Sequence, residues 1–202
     1  MATMTSDGLS LTERRRAQTS NDIHLAAIAL YEKQGVDATT VAEIASAAGV
    51  SSRTFFRYFE NKEHAGIPGQ FSLRNRVARF APSDGSPSSV LRQIEGLFEE
   101  EILSGVERDE DSVRVARLFA AEPALLEEAA AQLQRVSKLL QVVLSEHCPS
   151  LQRSTSLMIT DLAMTTWHTS WETLGQRYRA GEDITPIENY REHCALLREI
   201  VR

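Results

Sequence analysis

"TVAEIASAAGVSSRTFFRYFENK", Thr40 to Lys62, decides how this chain is read. Its first four residues form the Thr-x-x-Glu capping box, which predicts a helix starting at Thr40. Val41, Ile44, Ala45 and Ala48 then recur at three- and four-residue steps, the apolar stripe of a helix. Gly49 predicts its end, and Ser51 predicts the cap of another helix. The connection is therefore three or four residues long and contains glycine, the spacing of a helix-turn-helix. Between Val50 and Lys62, four of the chain's eleven Phe and Tyr residues stand beside Arg53, Arg57 and Lys62. Phe55 and Phe59, four apart, are expected to plug a core, leaving Ser52, Arg53, Thr54 and Arg57 outside. A second helix that enters a major groove by its N-terminal residues needs this division of small, donor-bearing and anchoring side chains.

Working outward, residues 12–34 predict a helix with Ile23, Ala27, Leu30 and Tyr31 on one face, stopped by Gly35. A fourth helix begins near Asn61 but meets Gly66, Pro68 and Gly69, so it must be short, kinked or restarted near Phe71. "APSDGSPSS", residues 81–89, reads as a flexible linker. Beyond it, helix-period segments fall at about 87–104, 110–120, 123–147, 151–180 and 186–202, with Pro87, Pro123 and Pro186 near three of the starts. No comparable stretch alternates like a strand. The expected fold is all-α, with a three-helix helix-turn-helix DNA-binding domain over residues 10–64 and a larger helical domain over 65–202.

Charge divides along the same line. The net charge is −6, yet residues 10–80 hold ten Lys and Arg against seven Asp and Glu, while 81–202 hold twelve against twenty. The positive part is the expected reader of DNA, and the acidic part should face away from it. Arg14, Arg15 and Arg16 read equally as a phosphate-tracking arm or as ordinary surface. With no run of eighteen apolar residues and no signal-peptide core, a cytoplasmic protein is expected. Five scattered histidines and no Gly-rich phosphate loop argue against an enzyme, and no cofactor is implied.

"LAAIALYEKQGVDATTVAEIASAAGVSSRTFFRYFENKE", Leu25 to Glu63, resembles the N-terminal domain of the tetracycline repressor (TetR) family from its first helix to its fourth. The resemblance implies a homodimer on double-stranded DNA with a palindromic operator. It assigns Thr40 to a cap that touches phosphate, and Ser52, Arg53 and Thr54 to base edges. Arg57, Tyr58 and Lys62 then match the backbone-contacting positions, with Ser51 beside them. Two departures stand out. Phe56 occupies a position where the family usually has a tyrosine, leaving only apolar contact with sugar or a thymine methyl. Arg53 occupies a position that is often glycine, and it can pair with a guanine.

The resemblance also implies an inducer enclosed in the C-terminal domain and a dimer interface made by the last two helices. Residues 151–180 carry Leu157, Thr160, Met164, Trp167, Trp171, Leu174 and Tyr178 on one helix face, which reads as core, dimer seam or pocket wall. By side-chain type, Phe98, Phe119, Leu139, Met164, Trp167, His168 and Trp171 are the candidate ligand residues, for a small hydrophobic or amphipathic molecule. The alternative is a metal- or redox-sensing regulator using His147, Cys148, His193 and Cys194. Two cysteines alone favour reduced thiols.

Overall fold

The computed structural model describes residues 11–67, 70–105 and 109–201. Among these residues there are ten helices and no strand, which is the expected all-α class. The chain divides into two compact units between Phe71 and Ser72.

The first unit contains α1 (Leu11–Gln34), α2 (Val41–Ala47), α3 (Ser52–Phe55) and α4 (Lys62–Ala65). Ile23, Ala27, Ile28 and Tyr31 of α1 are buried together with Val36, Ile44, Ala45, Phe55 and Phe59. Gly35 ends α1 at φ 80° and Gly49 follows α2 at φ 67°, the left-handed conformation that favours glycine. After Gly49, the Val50 amide donates back to the Ala45 carbonyl at 2.9 Å and closes the helix end. As expected, the fourth helix is short: α4 ends at Ala65, and α5 (Gln70–Ala78) restarts the chain. Pro68 and Gly69 lie outside the described residues.

The second unit holds most of α5 with α6 (Pro87–Gly105), α7 (Asp109–Ala121), α8 (Pro123–His147), α9 (Arg153–Arg179) and α10 (Pro186–Ile200). The Pro and Gly stretch at 81–89 lies inside this unit and does not separate the two. Asp84 accepts from the Ser86 amide at 2.9 Å, Gln93 accepts from the Ser83 amide at 2.8 Å, and α6 has already begun at Pro87. Central to the unit is α9, which packs against α6, α7, α8 and α10. It therefore buries more than one stripe. Thr160, Ala163, Thr166, Ser170 and Gly175 are buried along with Met164 and Leu174, and their small side chains let neighbouring helices approach. At Gly175 a Cβ would stand 2.4 Å from the Ala116 carbonyl oxygen of α7. Asn189 of α10 is fully buried, donating to the Ser170 carbonyl at 2.6 Å and accepting from Arg177 at 2.9 Å.

Candidate nucleic-acid interface

Both helices of the helix-turn-helix are capped by their own side chains. The Thr40 hydroxyl accepts from the Glu43 amide at 3.3 Å, while the Glu43 carboxylate takes the Thr40 amide at 2.8 Å and its hydroxyl at 2.7 Å. Thr40 is exposed, but its hydroxyl proton is directed to Glu43. These bonds to Thr40 hold the Glu43 carboxyl below its ordinary value. A carboxyl lowered by folding stabilises the fold above its ordinary pKa and stops doing so as pH falls through the lowered value. The wild type is therefore expected to melt above a Glu43→Gln variant at neutral pH, with the gap closing on acidification below the ordinary carboxylate range of about 4.3. Melting temperatures of the two proteins across that range check it.

Ser51 caps α3 by accepting from the Thr54 amide at 3.1 Å, and its hydroxyl meets that of Thr54 at 3.0 Å. The inner side of α3 is fixed by Phe55, fully buried and packed against Phe59 with ring centroids 5.7 Å apart. That anchor turns Ser52, Arg53, Phe56 and Arg57 to solvent and leaves Thr54 and Tyr58 half-buried. Phe56 is 58% exposed, held only by an edge-to-face contact with Phe55 at 5.4 Å. Among the described residues, the guanidinium groups of Arg53 and Arg57 make no hydrogen bond or ion pair, while the Arg57 amide donates to the Thr54 carbonyl at 3.0 Å. Two free guanidinium groups beside an exposed aromatic ring can reach phosphates, base edges and sugars.

Lys62 is differently placed. Its ammonium donates to the carbonyls of Val36 at 2.7 Å, Asp37 at 3.1 Å and Thr39 at 3.0 Å, and its side chain is 22% exposed. The lysine for which the family resemblance implies a phosphate contact is engaged within the unit. Two α1 residues also reach α4: Tyr31 donates its hydroxyl to the Lys62 carbonyl, and His24 donates Nδ1–H to the Ala65 carbonyl at 2.8 Å. Sequence reading places Tyr31 only on an apolar face. The partner of its hydroxyl lies 31 residues on, beyond any periodic signal.

In the second unit, Phe98, Leu139, Met164, Trp167 and Trp171 share one apolar cluster. Trp167 is its hub, with ring centroids 5.0 Å from Phe98, 5.9 Å from Trp171 and 5.8 Å from Tyr190. Phe119 is buried on α7. His168 lies 3.9 Å from Glu172 on the more open side of α9. Sequence reasoning missed two buried acids beside this cluster. Glu95 pairs with Arg198 at 2.5 Å, and Glu101 takes Arg76 at 3.0 Å and the Ser72 hydroxyl, while burial pushes its carboxyl up.

The four His and Cys residues named for metal do not form such a group. His147 bonds the Val143 carbonyl at 3.0 Å, and His193 engages both ring nitrogens, with the Asn189 carbonyl at 2.7 Å and Thr173 at 3.1 Å. Both thiols are buried, and desolvation pushes Cys194 up to about 11 and Cys148 above its ordinary value. Among the described residues no three His, Cys, Asp or Glu side chains are grouped to hold a metal ion, and no helix is long and apolar enough to cross a membrane.

Residues 23–64 match the sequence pattern of "Bacterial regulatory proteins, tetR family". The chain is 38% identical over 63 residues to the HTH-type transcriptional regulator TcmR of Streptomyces glaucescens, a match covering 31% of this chain and 28% of TcmR. Two solved structures resemble it more distantly. One is Thermus thermophilus FadR, a TetR family transcriptional repressor in complex with lauroyl-CoA (23% identity, 89% of this chain and 93% of that one, TM-score 0.47). The other is NalD, the secondary repressor of the MexAB-OprM multidrug efflux pump in Pseudomonas aeruginosa (20%, 92% and 96%, TM-score 0.49).

Proposed function

We propose, from the match of residues 23–64 to the tetR family of bacterial regulatory proteins, that this chain is a cytoplasmic transcriptional repressor of that family. In this reading it binds a palindromic operator as a homodimer and leaves it when a small inducer binds. The asymmetry of α3 and the turn that follows it carries the proposal: buried Phe55 and Phe59 fix one side, while Ser52, Arg53, Phe56 and Arg57 stand exposed on the other. Arg53 with Ser52 and Thr54 would read base edges, and Arg57 and Tyr58 would track phosphates. Thr40 and Ser51 set the two helix starts.

A single head this small makes few contacts. Two heads related by a two-fold axis would read half-sites about 34–36 Å apart or a multiple of that. The exposed apolar residues of α9 and α10, Met158 (66%), Leu196 (51%) and Ile200 (73%), support an isologous seam there. The aromatic cluster around Trp167 favours a hydrophobic or amphipathic inducer, which acts only if it binds the DNA-competent and released states unequally.

Selection of bound duplexes from a random pool by the purified protein at two salt concentrations tests the proposal. An enriched palindrome with a steep salt dependence supports it. A folded dimer that enriches nothing at either salt overturns it. With the motif in hand, Arg53→Ala is expected to lose discrimination at one G·C pair in each half-site, about 1–3 kcal/mol. An unchanged base preference would remove Arg53 from the reading side.

A further inference from the structure

An ammonium group has three protons to donate and no acceptor, and at Lys62 each proton has a carbonyl to meet. The carbonyls of Val36, Asp37 and Thr39 converge on Nζ at 2.7, 3.1 and 3.0 Å. The nearest acid is the Glu63 carboxylate, 4.0 Å away. Those carbonyls belong to the turn between α1 and α2, which is closed on itself by the Thr39 amide to Val36 carbonyl bond at 3.1 Å and the Thr39 hydroxyl to Gly35 carbonyl bond at 2.8 Å. Three carbonyl dipoles aimed at one point repel each other unless a cation sits there. A tetrahedral ammonium fits that point, whereas a flat guanidinium presents its donors in a fork. The turn ends at Thr40, the cap of α2, and α2 in turn packs against α3. The position of the reading helix therefore rests on the turn that Lys62 gathers.

We propose that Lys62 is a positioning residue for DNA reading rather than a phosphate contact: its ammonium sets the α1–α2 turn, and through Thr40 and α2 it sets the register of α3 on the duplex. The inference rests on the proposed DNA-binding function. It differs from the role that the family resemblance implies for this lysine, because the side chain cannot serve a phosphate without releasing a carbonyl of the turn.

Salt dependence separates the two roles. Each phosphate contact contributes about 0.9 to the slope of log K against log salt, so losing one per head removes about 1.8 from a dimer's slope. The full-length wild type, Lys62→Met, Lys62→Arg and, as a calibration, Arg57→Ala are titrated with the selected operator duplex between 50 and 200 mM salt. Titrations are run at a temperature where circular dichroism shows each protein folded. Lys62→Met is expected to bind at least tenfold more weakly with an unchanged slope, and Lys62→Arg is expected not to rescue it although the charge is kept. Arg57→Ala should flatten the slope.

A flattened slope for Lys62→Met, or full rescue by arginine, would make Lys62 a phosphate contact. Wild-type affinity in a folded but less stable Lys62→Met protein would make it a stabilising residue only. Either result overturns the proposal while leaving the function intact. Failure of the wild type to bind any duplex overturns the function itself. Should Lys62→Met not fold, Lys62→Gln, which keeps two N–H donors but no charge, is read by the same criteria.

Discussion

Phe55→Ala is expected to abolish operator binding at 37 °C while the larger unit stays folded. Phe55 is fully buried and meets Phe59 and Phe56 through its ring faces and edges. Truncating such a side chain costs about 3–5 kcal/mol. At about 0.05–0.15 kcal/mol per residue, a unit of this size holds only a few kcal/mol in all. The loss is comparable to the whole stability of the reader, so the variant should show more than a hundredfold weaker binding. Calorimetry separates this from general collapse, because the transition of the second unit should persist near its wild-type temperature. A single transition displaced as a whole would show instead that the two units melt together.

The second large effect is expected at Gly175. In most helix interiors, replacing glycine with alanine gains up to about 1 kcal/mol. Here the new methyl would lie 2.4 Å from the Ala116 carbonyl oxygen and 3.1 Å from the Ala120 Cβ. The obstacle is backbone, so no rotamer change relieves it, and α7 must move off α9. Overpacking of this kind costs about 1–3 kcal/mol or more. Gly175→Ala should therefore destabilise the second unit, lowering its melting temperature by roughly 5–10 °C, and Gly175→Val should do so further. Gly96→Ala is the control: apart from its chain neighbours and its own helix backbone, nothing lies within 4 Å of its Cβ position in α6, and the variant should be slightly more stable than wild type. If both substitutions gave the same small gain, the close α7–α9 crossing would be wrong.

The sequence is a good guide to helices because their signals are local. The Thr40 box, Gly49, Ser51 and the prolines at 87, 123 and 186 each act within a turn or two, and the elements begin and end near them. The exposed side of α3 and its following turn is legible for the same reason, since Phe55 and Phe59 mark the inner side. What escapes is chemistry between distant residues. The three carbonyls at Lys62 lie 23 to 26 residues away, so a lysine at the family's phosphate position reads as a phosphate ligand. On α9 the large residues Met164, Trp167 and Trp171 draw the eye to one stripe. Thr166, Ser170 and Gly175 look like surface residues until their neighbours are known. Glu95 and Glu101 read as solvated acids for the same reason.

The closing contacts of the second unit also set a timetable for synthesis. Tyr190 donates to the Glu95 carbonyl, Arg191 pairs with Glu99 and Arg198 with Glu95, bonds that join residues 92 to 103 positions apart. Its core cannot be sealed until α10 has left the ribosome. The first unit's long tie, His24 to Ala65, spans only 41 positions. At a synthesis rate of about 5–20 residues per second, the reading head is complete on the order of ten seconds before the last helix appears. During that interval the nascent chain carries a finished head on a unit that exposes its apolar interior, and a chain cut short before α10 would stay in that state, open to quality-control proteases for as long as it lasts.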